Sequence, residues 1–233
     1  MNMKYTKDRS FLTNLVIAIL CFIGMFLVPS LFVILFELVI KDEQICTILA
    51  DLIYIAILYF IYKKDLDSEA KTFFSDFKKK FKYSFKIYIL GYMGMIFFNL
   101  FITFFLKDIS QNESQVREML YANVVTSMIS ISIIAPILEE LIFRKTIQPL
   151  IKNRWIYALV CGLLFGFAHI LTNFVQNTFV ITDLLYILPY ACLGGSFALM
   201  DYNTKTTFSS IIIHSFHNTF TAILLLITFF GGK

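Results

Sequence analysis

Seven long apolar stretches constrain the fold of this chain more than any other feature of its sequence. Each is long enough to cross about 30 Å of hydrocarbon as a helix that rises about 1.5 Å per residue. With 58% hydrophobic and only 15% charged residues, the 233-residue chain lies far outside the composition of a water-soluble domain. The sequence therefore predicts an all-α, polytopic transmembrane helical bundle with spans at 11–40, 45–62, 83–106, 120–150, 155–173, 181–200 and 207–230.

Basic residues beside the spans predict the orientation of the chain. They are concentrated before the first span, at Lys4, Lys7 and Arg9, and after the second span, between Lys63 and Lys82. Because Lys and Arg are enriched in cytoplasmic loops, we expect the amino terminus and the second basic segment in the cytoplasm. The carboxyl terminus then lies outside. The high content of lysine further suggests a bacterial source, and hence a multi-pass protein of the bacterial cytoplasmic membrane.

The segment Lys71–Phe85 interleaves aromatic and basic residues and allows two interpretations. It lies along the inner leaflet, attracted to the anionic lipid of the bilayer, or it is a solvated connector that fixes the topology. The sequence shows no internal repeat and no low-complexity linker. Residues 1–233 are therefore expected to form a single integral membrane domain.

Ionisable side chains inside the predicted spans are the strongest indication of function, because a charge in a bilayer is costly to bury. The fourth span contains Glu139 and Glu140, and Arg144 follows Glu140 by four residues. That spacing places Glu140 and Arg144 on one helix face, where they can form a buried ion pair. Glu139 is rotated by about 100° from Glu140 and remains free for chemistry. A purely structural role for all three residues, locking helices together, is the alternative.

All three histidines also lie in predicted spans, His169 in the fifth and His214 and His217 in the seventh. His214 and Asn218 are four residues apart and project from one side of a helix. A lone histidine in a membrane is often only a hydrogen-bonded packing residue. Three histidines together with paired glutamates favour a catalytic interpretation.

These residue types allow two chemistries. Hydrolysis of an amide needs a base that takes a proton from water and donors that meet the developing oxyanion. Glu139 with His169 can supply the base, and His214 with Asn218 the donors. In the competing arrangement, Glu139, His169 and His214 hold Zn²⁺ and leave one position for the water that the metal activates. No HExxH motif occurs, so ligands of a metal would come from different helices.

Three motifs follow one another on three separate spans: Glu139-Glu140-x-x-x-Arg144, Phe165-x-x-x-His169 and His214-x-x-x-Asn218. This ordered set resembles the CPBP (Abi) family of intramembrane proteases, which comprises CAAX prenyl endopeptidases and bacteriocin-processing enzymes. The resemblance covers about residues 130–221, so a catalytic core is expected at about 120–230. The chain departs from the larger family members in having seven predicted spans where eight are usual.

The resemblance implies an intramembrane endopeptidase, of the glutamate or the metalloprotease type, with a cavity open to the cytoplasm and to lipid. Glu139 would act as the principal base, and His169 would assist with the water. His214 and Asn218 would stabilise the oxyanion or, in the metalloprotease interpretation, help to hold the metal. Glu140 and Arg144 would form the buried ion pair inferred from their spacing.

The expected substrate is a membrane-associated peptide or protein, such as a peptide pheromone, a bacteriocin precursor or a CAAX-like substrate. No nucleic acid is expected as a partner. A rival hypothesis is a non-catalytic bacteriocin self-immunity protein or membrane scaffold with the same fold. The presence of every motif residue favours the enzyme. A small transporter is a third alternative, disfavoured because the sequence shows no paired short, broken helices in two related halves.

Overall fold

The computed structural model describes residues 5–106 and 110–231, which contain helices and no β-strand. Seven of the helices are long and apolar enough to cross a membrane, so the predicted all-α bundle with seven spans is confirmed. The cytoplasmic location of the amino terminus stays a prediction, and Lys4 lies outside the described residues. The helices are α1 (Phe11–Glu37), α2 (Glu43–Ser75), α3 (Phe77–Leu106), α4 (Gln111–Ala122), α5 (Val124–Leu150), α6 (Arg154–Val175), α7 (Ile181–Thr204) and α8 (Thr207–Gly231).

The second and third helices are longer than the predicted spans. α2 continues to Ser75 instead of ending near residue 62, and α3 begins at Phe77 instead of residue 83. No Gly or Pro occurs between residues 63 and 85, and Lys, Glu and Ala favour the helix after the apolar stretch has ended. The segment Lys71–Phe85 therefore forms two adjoining helix ends that meet at Asp76, and both interpretations of its surroundings, inner leaflet or solvent, stay predictions.

The predicted fourth span, 120–150, is divided at Asn123. The polar helix α4 ends before this residue, and the Asn123 side chain accepts a hydrogen bond of 3.3 Å from the backbone N–H of Thr126, which starts α5. At the other end of α4, the Ser110 hydroxyl accepts from the backbone N–H of Glu113 at 3.2 Å. Both ends are thus marked by residues that favour helix caps. α4 is a separate short helix, which the sequence analysis missed.

α5 contains two wide turns of the π type, Ser130–Ile134 and Leu141–Lys145. In the first, the π pattern pairs the carbonyl of Ile131 with residue 136, but Pro136 has no N–H to donate. Asn218 of α8 supplies the missing donor, with its Nδ2 at 2.9 Å from the Ile131 oxygen. The two turns flank the α-helical segment that carries both glutamates. Because Pro136 cannot donate to the Ile131 carbonyl, this carbonyl bonds to Asn218 and so connects α5 to α8.

α7 packs against α6 on one side and α3 on another, and glycines allow its closest approach to α6. A Cβ atom on Gly166 would lie 2.5 Å from the carbonyl oxygen of Ile187, and one on Gly162 would lie 2.7 Å from that of Ala191. Both distances are shorter than a van der Waals contact, so the two backbones touch directly. Small residues commonly permit such contacts between helices in lipid.

We expect Gly166→Ala to destabilise the bundle by about 1–3 kcal/mol, because the added methyl group meets backbone that cannot move aside like a side chain. The melting temperature of the detergent-solubilised protein measures the effect. Gly231→Ala is the matched control, since a Cβ atom at that position meets nothing within 4 Å. Equal melting temperatures for the two variants would contradict direct backbone contact between α6 and α7.

Candidate active site

A cavity of about 440 Å³ lies within the helical bundle and brings together four of the six predicted site residues. Glu139 of α5, His169 of α6, and His214 and Asn218 of α8 all line it. Helices that are distant in the sequence therefore present these side chains to one enclosed space. A neighbouring cavity of about 450 Å³ shares Tyr186 with it and has none of the predicted site residues in its lining.

Glu139 has a side chain that reaches the cavity and one buried carboxylate oxygen without a hydrogen-bond partner among the described residues. Its side chain is 26% exposed and reaches the cavity. The Oε2 atom makes no hydrogen bond to any residue in the described part of the chain. The nearest basic atom is Nε2 of His214, 3.7 Å away, which is an ion-pair distance but too long for a direct hydrogen bond. Glu139 can therefore accept a proton from a water molecule in the cavity.

The neighbouring carboxylate of Glu140 is fully buried and makes contacts to two helices. Its Oε2 lies 3.1 Å from Nε of Arg144, so the predicted ion pair is present. Its Oε1 lies 2.9 Å from Nδ1 of His214 on α8. The predicted divergence of the two adjacent glutamates is therefore observed, because one side chain faces the cavity and the other faces the protein interior.

Arg144 connects α5 to the two helices that follow it. A terminal guanidinium nitrogen donates to the backbone carbonyl of Gly194 on α7 at 3.0 Å. The guanidinium carbon also lies 4.8 Å from the ring centre of Phe165 and 5.5 Å from that of Phe197. Aromatic faces attract a cation in this geometry. With the ring of Phe143 at 6.0 Å, the positive charge is thus enclosed by one carboxylate, one carbonyl and three rings of the described residues, away from the cavity.

His214 is oriented by its contact with Glu140. An ionised carboxylate only accepts hydrogen bonds, so Nδ1 of His214 carries the proton in the contact with Glu140. The ring stacks on Phe197, with centroids 4.7 Å apart, and meets the edge of Phe165 at 5.6 Å. These contacts leave Nε2 on the side of Glu139. His214 is the imidazole within ion-pair distance of Glu139, and the joint role of Glu139 and His169 stays a prediction.

His169 is held by its own helix and by α7. Its Nδ1 lies 2.7 Å from the backbone carbonyl of Phe165, one turn earlier on α6. A carbonyl can only accept, so Nδ1 carries the proton and the lone pair of Nε2 is left for another partner. The imidazole also stacks on the ring of Tyr190, with centroids 4.1 Å apart. His169 can therefore accept a proton or orient a water molecule through Nε2.

Asn218 uses one amide N–H to satisfy the carbonyl of Ile131. The second N–H and the amide oxygen remain, because a primary amide has two donors and one acceptor atom. The structure thus gives Asn218 a role in joining α5 and α8. A donor for a developing oxyanion is still available from the same side chain.

Several residues around the cavity were not predicted as site residues. Tyr190 of α7 stacks on His169, and Phe197 of the same helix stacks on His214. His217, which lies outside the family motif, also lines the cavity, and its Nδ1 lies 3.2 Å from the Tyr88 hydroxyl. Tyr190, Leu193 and Phe197 lie at positions i, i+3 and i+7 of one helix. That spacing was the available signal, since it places all three on one face.

The candidate ligands for a metal do not form a complete set in this conformation. Among residues 5–106 and 110–231, no three His, Cys, Asp or Glu side chains are grouped closely enough to hold a metal ion. Glu139, His169 and His214 line the same cavity, but they would have to approach one another before Zn²⁺ could bind to all three. The arrangement therefore does not fit the zinc site expected in the metalloprotease interpretation.

The fold and the cavity define a multi-pass membrane protein with an acid and two imidazoles inside the bundle. Residues 121–220 match the family described as Type II CAAX prenyl endopeptidase Rce1-like. This matched region includes all six predicted site residues. The resemblance found in the three motifs is thus confirmed, and this part of the chain is similar to the CAAX prenyl endopeptidase (CPBP/Abi) family.

Two bacterial relatives are similar to parts of the chain. One is the "Putative membrane peptidase YdiL" of Bacillus subtilis (strain 168), which is 32% identical over 120 residues that make up 50% of this chain and 44% of the relative. The other is the "UPF0177 protein YxdF" of Lactococcus lactis subsp. lactis (strain IL1403), 34% identical over 102 residues, or 43% of this chain and 51% of the relative. The chain thus spans about half the length of the curated relatives it matches. No solved structure matches it significantly.

Bacterial relatives and seven apolar helices identify a multi-pass protein of the cell membrane. The family and the printed name of one relative concern proteolysis in membranes.

We expect Glu140→Gln to destabilise the fold by about 3–5 kcal/mol, because it leaves the buried charge of Arg144 without its counter-charge. Thermal unfolding of the purified protein measures this change. Glu139→Gln is the matched control: it is the same substitution at the adjacent residue, and it removes a carboxylate whose Oε2 has no hydrogen bond within the described residues. Similar losses for the two variants would show that the adjacent glutamates do not differ in structural role.

Proposed function

We propose that this chain is an intramembrane endopeptidase that cleaves a peptide bond of a membrane-associated peptide or protein with a water molecule. The single observation that supports the proposal most strongly concerns the Oε2 atom of Glu139. This atom lacks a hydrogen bond within the described residues and belongs to a side chain that lines the same cavity as His169, His214 and Asn218. An unpaired acid among proton carriers and donors suits general base catalysis.

In the proposed reaction, Glu139 takes a proton from the attacking water, and the water oxygen forms a bond to the carbonyl carbon of the substrate. The Nε2 lone pair of His169 accepts the other hydrogen of the water and so fixes its direction. The carbonyl π electrons move onto its oxygen, which becomes an oxyanion. When the C–N bond breaks, the proton on Glu139 passes to the leaving nitrogen, and the free carboxylate is restored.

Two groups are proposed to stabilise the oxyanion. Asn218 has a second amide N–H beyond the one bonded to Ile131. His214 also lines the cavity, and its Nε2, on the side of Glu139, is the second group proposed to donate to the oxyanion when it carries a proton. Donors held in place before the reaction stabilise the developing charge without a cost of reorganisation. The buried pair Glu140–Arg144 acts indirectly by orienting His214.

The metalloprotease alternative uses Glu139, His169 and His214 as ligands of Zn²⁺. A bound zinc ion would polarise the substrate carbonyl and lower the pKa of its water. The observed positions of these side chains favour the route in which the carboxylate itself activates the water, because Glu139 and His214 face each other directly while the three candidate ligands are not grouped.

The cavity lining supports a peptide as the substrate. It combines apolar side chains, among them Met95, Leu193 and Leu225, with amides and hydroxyls such as Asn99 and Thr103. Apolar side chains can receive those of a membrane peptide, and polar ones can bond its unpaired backbone groups. Peptide pheromones, bacteriocin precursors and CAAX-like proteins are the proposed classes. A non-catalytic immunity or scaffold protein is the alternative, in which the same cavity would only bind.

We expect Glu139→Gln to reduce peptide hydrolysis at least about 10²-fold, because the general base is lost. The substrate is first identified by mass spectrometry of membrane peptides from cells that contain either the wild type or Glu139→Gln. The rate is then measured with the identified peptide in proteoliposomes, where His169→Ala is also expected to be slow. The control is Glu118→Gln, which makes the same substitution at an exposed residue of α4.

Wild-type rates in Glu139→Gln would exclude this residue as the base. Peptide binding without cleavage by the wild type would instead support the non-catalytic alternative. A strong chelator added to the same proteoliposomes is expected to leave hydrolysis unchanged. Loss of activity with the chelator, restored by Zn²⁺ and accompanied by a zinc absorption edge in the purified protein, would favour the metalloprotease mechanism.

A further inference from the structure

The ring of Tyr190 lies almost parallel to the imidazole of His169, with centroids 4.1 Å apart and an angle of 22° between the planes. Phe165 supplies the other ring contact, at 4.4 Å, and also the carbonyl that accepts from Nδ1. Phe165 and His169 belong to the same helix, one turn apart. Of these contacts, the stack on Tyr190 is therefore the one that fixes the imidazole relative to α7.

The hydroxyl of Tyr190 is bonded to the beginning of α4. Its oxygen lies 3.2 Å from Nδ2 of Asn112, which can only donate, and 3.0 Å from Oγ of Ser110. With Asn112 as donor, the tyrosine O–H remains free to donate to Ser110. Ser110 also caps α4 by accepting from the N–H of Glu113. One side chain thus joins three elements, because its ring contacts α6 and its hydroxyl contacts α4 while its backbone belongs to α7.

We propose that Tyr190 is a positioning residue that sets the direction of His169 Nε2 and links it to α4. The stack restricts rotation of the imidazole, while the hydroxyl bonds keep the tyrosine ring from turning away. α4 also lines the cavity, through Asn112, Glu113 and Val116. An occupant of the cavity that contacts α4 can therefore alter the position of His169. The effect of Tyr190 on catalysis rests on the proposed function, but its effect on the position of His169 does not.

The test uses two substitutions at Tyr190 in the full chain, reconstituted in lipid nanodiscs. Tyr190→Leu removes the stacking ring, and Tyr190→Phe retains the ring but removes the bonds to α4. Tyr202→Leu and Tyr202→Phe are the matched controls. Tyr202 belongs to the same helix, donates its hydroxyl to the carbonyl of Lys152 at 2.6 Å and has its ring partner in Tyr157.

The first measurement is the ¹⁵N NMR spectrum of histidine-labelled protein. The chain has three histidines, so single substitutions assign each signal. Wild type should show the His169 tautomer with the proton on Nδ1. Tyr190→Leu should shift or broaden the His169 signals and leave the other two histidines unchanged. Tyr190→Phe should retain the tautomer. His169 signals that coincide in wild type and Tyr190→Leu would overturn the proposal, whatever the activity.

The second measurement is hydrolysis of the identified peptide. Tyr190→Leu should lower kcat about tenfold or more with little change in KM, because a small displacement of a catalytic group is costly. Tyr190→Phe should recover most of that loss, and both Tyr202 variants should retain wild-type kcat. Equal loss of kcat in Tyr190→Leu and Tyr202→Leu would overturn the specific role. If the wild type cleaves nothing, the proposed function fails, while the NMR result still decides the positioning role.

Discussion

Two fully buried opposite charges, Glu140 and Arg144, face each other within one helix of the membrane-spanning bundle. Either charge alone would be costly at this depth, and removal of one partner would leave the other uncompensated. Each partner also bonds to a different helix, Glu140 to His214 on α8 and Arg144 to the carbonyl of Gly194 on α7. The arrangement of three helices around the cavity therefore depends on one ion pair.

The same pair separates the roles of two adjacent glutamates. The charge of Glu140 is compensated by Arg144 and by a hydrogen bond from His214. Glu139 keeps partial exposure to the cavity, and Nε2 of His214 lies 3.7 Å from its Oε2. Because Arg144 and Nδ1 of His214 contact Glu140, the carboxylate of Glu139 on the cavity side stays free to exchange a proton. A rotation of one residue along the helix is enough to produce this difference.

The sequence predicted the spans and the candidate residues better than it predicted their connections. Hydropathy located all seven spans, because a helix in lipid needs a long apolar run. It misplaced the end of α2 and the start of α3, since helix propensity continues beyond the apolar region up to Asp76. The sequence did not predict that Nε2 of His214 lies within ion-pair distance of Glu139, because spacing along one chain says little about the order of helices around a bundle. The hydrogen bond from Asn218 to the first wide turn of α5 joins two distant helices and could not be inferred locally.

The residues proposed for chemistry share one physical property. His169, His214 and Asn218 are each held by a single hydrogen bond, to a backbone carbonyl or to a buried carboxylate, and each keeps a second polar atom for the cavity. Glu139 contributes an oxygen without a hydrogen bond to the described residues. A side chain fixed at one atom cannot turn away, so the free atom points in a set direction before any substrate arrives. Orientation is thus supplied by folding rather than by binding, which is what electrostatic stabilisation of a transition state requires.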